Sequence, residues 1–178
     1  MNTHPIKAEV PPKSRAALLL DGADFYDAWN IVSSDVTLSA LDYFIAAAKC
    51  TPRWIDACMK IRNRVGRPFG IKDLGTLSGI SADKQAADYK PGQRVGIFTV
   101  FENHFDEAII GDKDKHLNVA LSIYREEHPN GMQVSLTVTT IVHINNLLGR
   151  IYMLPVKPMH KLIAPTVLSA IGGNENPA

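Results

Sequence analysis

The chain has 178 residues and a formal charge of +1, with 46% hydrophobic and 21% charged residues, the balance of an ordinary globular domain. That length suits one domain able to bury about two-thirds of the surface its unfolded form exposes. A charge so near zero, with no basic run of five or more, gives no general attraction to nucleic acid or to a membrane, so neither is an expected partner. The apolar run Leu18–Leu20 is far too short for a signal core, and no window approaches the roughly eighteen apolar residues of a span. A cytoplasmic location is the default expectation.

Residues 1–14 are polar and punctuated by Pro11 and Pro12, which predicts an arm lying over the surface. Phe25, Asp27, Trp29 and Ile31 alternate with Tyr26, Ala28, Asn30 and Val32, the pattern of a first strand. Thr37 is placed to cap a helix with Leu41, Phe44, Ile45 and Ala48 on one face, ending near Cys50. Thr51-Pro52 starts a second helix, whose apolar stripe is Trp54, Cys58, Ile61 and Val65. Gly66, Pro68 and Gly70 then stop it in a turn. Cys50 and Cys58 are expected as two buried free thiols. Residues 72–94 have little periodicity and read as a long connection, with a helical turn near Asp83–Asp88.

From Val95 onward the period is two. Strands are predicted over Val95–Phe101, Glu107–Ile110, Leu117–Tyr124, Met132–Asn145 and Ile151–Leu154, with turns at Gly111–Asp114 and Pro129–Gly131. In the longest of them, Met132, Val134, Leu136, Val138, Thr140, Val142 and Ile144 share an apolar face, opposite Gln133, Ser135, Thr137, Thr139, Ile141 and His143. The apolar face is the expected cavity lining. Pro158 opens a closing helix of about 14 residues, roughly 21 Å long, and residues 172–178 form a disordered tail. The fold class is therefore α+β: a single domain over residues 1–171. It has a curved antiparallel sheet of about six strands, two consecutive helices after the first strand, and a C-terminal helix packed on the sheet. That order matches the START-like helix-grip layout.

Five residues stand out as candidate ligand-binding groups: Arg62, Glu107, His116, His143 and His160. Asp112, Asp114 and His116 alternate as three metal ligands would, yet the interleaved lysines fit a solvated hairpin better, and no metal is expected. His116 either anchors that turn or faces a pocket. Glu107 is read as lying across the hairpin from His116, where the pair would orient the ring or relay a proton, or simply stabilise the turn. His143 lies on the semi-polar face of its strand. His160 either caps a strand or faces the pocket mouth, and Arg62 pairs with Asp106 or Glu107. Standard nucleophile motifs and nucleotide loops do not occur, so no cofactor is implied.

An ordered set of short matches resembles the domain-of-unknown-function family 2867. They are Thr51-Pro52-Arg53-Trp54-Ile55 through Ile61-Arg62, Gly96-Ile97-Phe98, Asp106-Glu107 with Gly111, and His116-Leu117. Val138-Thr139-Thr140 through His143-Ile144-Asn145-Asn146 follow, then Gly149-Arg150-Ile151-Tyr152 and Pro158-Met159-His160. The resemblance runs from about Phe25 to Ile171. Ala120 stands where the family often shows Arg, and Met159 where it often shows Phe, which implies a different or less polar ligand if that Arg binds one. Relatives in which the domain is joined to dehydrogenase-like parts imply a module serving small-molecule metabolism.

Three readings follow. The first is a pocket between sheet and closing helix that takes a small hydrophobic or amphipathic molecule. The second is an interaction module that docks on itself as a homodimer or on a dehydrogenase-like partner. The third is an enzyme using His116 and Glu107 as an acid–base pair.

Overall fold

The period-two segments resolve into one antiparallel sheet in the computed structural model, which describes residues 4–66, 75–80 and 84–173. Its strands are β1 (Ile6–Ala8), β2 (Phe25–Ser33), β3 (Arg94–Val95), β4 (Phe98–Asn103), β5 (Glu107–Lys113), β6 (Leu117–Glu127) and β7 (Val134–Ile144). The order across the sheet is β1-β2-β7-β6-β5-β4-β3. The eleven-residue strands β6 and β7 form its centre, paired from Leu117↔Ile144 to Glu127↔Val134. A register shift between Val100 and Glu102 bends the β4 edge, as an extra residue in one strand does.

Three helices follow the expected order: α1 (Ala40–Lys49), α2 (Arg53–Gly66) and α3 (Leu147–Gly173). The cap of α1 is Ser39, which accepts from the Asp42 N–H while the Asp42 carboxylate accepts from the Ser39 N–H. Thr37, the expected cap, bonds to Asp35 instead. The break at Cys50–Pro52 separates α1 from α2. Cys50 is exposed and Cys58 half-buried, so the thiols are free but not both buried. In the long connection a short 3-10 turn spans Ala86–Asp88. The turn expected at Gly66–Gly70 lies, beyond Gly66, outside the described residues, as does the end of the tail past Gly173.

The largest departure is α3. The apolar run Ile151–Leu154 belongs to this 27-residue helix and is not a strand, and Pro158 sits inside the helix instead of opening it. At ~1.5 Å per residue α3 is about 40 Å long. Each of Pro155, Pro158 and Pro165 removes a backbone bond to the carbonyl four residues earlier. Those carbonyls belong to Ile151, Leu154 and Lys161, all on exposed residues, so water can take up the acceptors.

One face of the sheet receives the helices. Alpha-1 packs on β5, β6 and α3, and α3 packs on β2 and β7. A continuous core of Ile31, Leu41, Tyr43, Ile55, Ile110 and Leu136, with their neighbours, lies beneath them. The opposite face is covered by the N-terminal segment, which does more than lie over the surface. Ile6–Ala8 adds the edge strand β1, and a 3-10 helix at Arg15–Leu19 packs on β6 and β7.

That segment is pinned by Glu107, which is 1% exposed. Its Oε1 accepts from the Ser14 hydroxyl at 2.6 Å and the Ser122 hydroxyl at 2.7 Å. Its Oε2 accepts from the Arg15 N–H at 2.8 Å, with the Arg15 guanidinium 3.7 Å away. A buried carboxylate at the N-terminus of a short helix, satisfied by hydroxyl and backbone donors, is a structural anchor. Glu107→Ala is expected to lower stability by about 3 kcal/mol, because it strands the buried donors that face the carboxylate. Urea denaturation checks this, with an unchanged midpoint counting against the anchor.

Candidate functional site

The sheet face under the helices is not filled. Alpha-1 and α3 each lie on the sheet, whereas among the described residues α2 has little close backbone packing with the sheet or with α3. Between them is a cleft of about 810 Å³. Its floor is apolar and comes from the strands: Val119, Leu121 and Ile123 of β6, and Leu136, Val138 and Thr140 of β7. The face of β7 with the apolar alternation is therefore the one that lines the space. Helix α2 supplies Ile55, Cys58, Met59 and Arg62, at spacings of three, four and seven residues. The stripe expected on α2 is thus rotated: Trp54 and Ile61 sit at its exposed edge, 43% and 62% accessible. Helix α3 supplies Tyr152, Val156, Met159, Ile163 and Val167 along four turns. Ile61 of α2 and Ile151 of α3 both line the cleft and are both more than half exposed, which puts the mouth between these two helices.

Few polar groups interrupt this lining. Arg62 Nε donates to the Tyr152 hydroxyl at 2.8 Å, and the guanidinium carbon lies 5.5 Å from the Tyr152 ring centroid. Arg62 also donates to Asn63 Oδ1 at 2.8 Å. The contact joins α2 to α3 across the cleft, whereas the expected pairing with Asp106 or Glu107 is not made. Lower on α3, His160 Nε2 donates to the buried Asp27 carboxylate at 3.0 Å. Asp27 also accepts from the Trp29 indole N–H at 3.2 Å, and Phe25 meets the His160 ring edge-on at 5.8 Å. With Nε2 committed to Asp27, Nδ1 is the imidazole nitrogen left for a ligand. The spacing of β2 sets this up, because Phe25, Asp27 and Trp29 point to one side of the strand. Tyr152, Asp27 and Trp29 escaped the sequence reading. For Tyr152 a signal existed, since it falls eight residues before His160 and hence on a similar helix face.

The other three candidates lie elsewhere. Glu107 pairs in register with Tyr124 at one end of the β5–β6 hairpin, and His116 sits in the turn at the other end. Six ladder steps, about 20 Å at ~3.4 Å per residue, separate Glu107 from Lys113, and His116 lies in the turn beyond, so Glu107 and His116 do not form an acid–base pair. His116 is buried and belongs to the turn. Its N–H donates to Asp114 Oδ1 at 2.6 Å, and its Nδ1 lies 3.2 Å from Asn146 Oδ1. Asn146 in turn accepts from the Gly149 N–H at 3.0 Å and donates to the Lys115 carbonyl at 2.9 Å. A Cβ at Gly149 would lie 2.5 Å from the His116 carbonyl oxygen, so the close approach requires glycine. His143 is on the far sheet face and bonds through Nε2 to the Asp21 carbonyl at 3.0 Å. Among the described residues no three His, Cys, Asp or Glu side chains converge as metal ligands.

Ala120, between Val119 and Leu121, also points away from the cleft, whereas Met159 lines it. Of the two departures from the family pattern, only the second touches this space. Burial pushes the Tyr89 and Tyr124 phenols above their ordinary values, helped at Tyr124 by the Glu126 carboxylate, and neither ring lines the cleft.

Asp27, which does not itself line the cleft, holds two donors that do, Trp29 of β2 and His160 of α3. Asp27→Ala is expected to cost about 2 kcal/mol, leaving the Trp29 indole and the His160 ring without their acceptor. That is a drop of roughly 4–8 °C in the thermal midpoint of a chain this size. Calorimetry of the variant beside His160→Ala and the double variant checks the coupling, and strict additivity would refute it.

No curated protein and no solved structure matches the chain. A family model described as protein of unknown function (DUF2867) matches residues 19–167, most of the sheet and most of α3. On that match the chain belongs to the DUF2867 family.

Proposed function

We propose that this protein binds one small hydrophobic or amphipathic molecule in the cleft between the sheet, α2 and α3. The observation that carries the reading is the cleft itself: about 810 Å³ of open space, lined almost wholly by aliphatic and aromatic side chains. Protein interiors are normally close-packed, and a space of this size falls in the range of small-molecule sites. Water inside it would find few hydrogen-bond partners. An alkyl chain of about ten methylenes would gain roughly 8 kcal/mol gross from burial, before the costs of association. The START-like arrangement of a curved sheet around a C-terminal helix supports the same location.

Arg62 and Tyr152 near the mouth, with His160 on Asp27 deeper in, are the groups to orient a polar end of the ligand. Glu107, His116 and His143 play no part in this reading, because their bonds hold the N-terminal segment, the β5–β6 turn and the residues before β2. Binding is favoured by the almost wholly apolar lining, and the Asp27 bond orients the His160 imidazole while leaving its Nδ1 for a polar end of the ligand.

The test uses an apolar fluorescent dye, anilinonaphthalene sulfonate, and native mass spectrometry of gently purified protein. A saturable, blue-shifted signal is expected from the wild-type chain, together with any co-purified small molecule as an added mass. Val138→Trp fills the floor of the cleft and is expected to weaken dye binding roughly tenfold or more, about 1.4 kcal/mol, while the chain stays folded by circular dichroism. A folded Val138→Trp that binds dye as the wild type does would sink the proposal.

A further inference from the structure

The total charge of +1 conceals a strong asymmetry. The two helices on either side of the mouth, α2 and α3, carry seven Lys and Arg residues against Asp56 alone. Their net charge is +6, so the rest of the chain is net −5. Apart from Arg62, none of these cations forms an ion pair with a described residue. Lys157 rests over the Phe25 ring, and the other five are exposed.

Their placement follows a pattern repeated on both sides of the mouth. At ~100° per residue, Trp54 and Ile61 of α2 run along the edge next to the cleft, and Arg53, Lys60 and Arg64 occupy the solvent face beyond. On α3, Leu147, Ile151, Leu154 and Leu162 form one exposed stripe at helical spacing, 70%, 55%, 72% and 60% accessible. Arg150, Lys157 and Lys161 lie on its far side from the cleft. Each lip is thus apolar at the opening and basic outside it. Exposed apolar side chains in such a row are costly in water unless something covers them.

The geometry points to an anionic lipid surface as that cover: the α2–α3 rim docks on the bilayer with the cleft mouth facing it. Apolar side chains enter the headgroup boundary while flanking Lys and Arg meet anionic headgroups, the pattern of surface-lying amphipathic helices. No helix of the described residues is long and apolar enough to cross a membrane, so the contact is peripheral. The charge complementarity selects this occupant over a second copy of the chain, which would bring two rims of net +6 together. It also gives a hydrophobic or amphipathic ligand a direct path between bilayer and cleft. The docking does not depend on the cleft being filled.

Vesicle flotation of the full chain tests the inference, with neutral phosphatidylcholine compared against vesicles holding roughly 30% phosphatidylglycerol. Partition to the anionic vesicles is expected to be at least about tenfold stronger and to fall steeply when salt shortens the screening length. Two variants separate the contributions. K60E/R64E/K161E should abolish the preference for anionic vesicles, and L154S/L162S should weaken binding roughly tenfold even at low salt. Neither set lines the cleft, so both should keep dye binding, which separates failure of docking from failure of the cleft reading.

Four results would overturn the docking: equal association with both vesicle types, no association at all, self-association in sedimentation velocity that the same substitutions relieve, and binding to an acidic protein surface in place of vesicles.

Discussion

One asparagine decides where the long helix begins, and most of the site follows from it. Asn146 accepts from the Gly149 N–H, donates to the Lys115 carbonyl and meets the His116 ring. It therefore caps α3 and ties that cap to the turn between β5 and β6. Because Gly149 lies against the His116 carbonyl, the first turn of α3 has little freedom to slide. From this fixed start, the helical repeat carries Tyr152 to Arg62 and His160 to Asp27. His116 shapes the site from a distance by holding the helix that lines it.

The two faces of the sheet use polar residues in opposite ways. On the far face, Glu107 is surrounded by Ser14, Ser122 and the backbone of Arg15, and the cluster is closed to solvent. Its chemistry is spent on holding the N-terminal segment over β6 and β7. On the near face the polar groups are sparse and sit at the wall of an open space. A satisfied, buried carboxylate has no capacity left for a ligand, whereas an imidazole with one nitrogen committed still has another. That difference separates the anchor from the candidate site.

The fold was legible where periodicity is unambiguous. The alternation in Phe25–Val32, Leu117–Tyr124 and Met132–Asn145, and the Thr51-Pro52 restart, correspond to β2, β6, β7 and α2. The apolar alternation of β7 also identified the face that lines the cleft. What failed was local. Ile151–Leu154 is a four-residue apolar run, which suits strand and helix equally, and Pro158 after it reads as the start of a helix and not as its interior. The prolines are tolerated because the carbonyls they leave free lie on exposed residues, a fact of tertiary placement that no local pattern carries. The pairing of Glu107 with His116 failed for a similar reason. Both flank β5, but strand length puts them at opposite ends of the hairpin. Arg62 and His160 could be singled out in sequence, but Tyr152 and Asp27, which hold them, required the helix and the strand to be brought together.

The cleft exists because α2 is held at a distance from the sheet. Its tethers include Arg62 to Tyr152, Asn63 to the Gly75 carbonyl, and Asp56 to Ser78. Among its described side chains the fully buried apolar one is Ile55, near the start of the helix, while Met59 packs partly against the core and, with Cys58 and Arg62, lines the cleft. Among the described residues, α2 buries less apolar surface than α1, whose apolar face is fully buried in the core, and an element with less buried apolar surface separates at lower free energy. Widening of the mouth is therefore expected to come from α2, with α1, α3 and the sheet as the fixed frame. The basic residues of α2 then act on the wall that moves. In the proposed docking, attraction of Arg53, Lys60 and Arg64 toward an anionic surface would pull on the same helix, so docking and ligand entry would draw on one element.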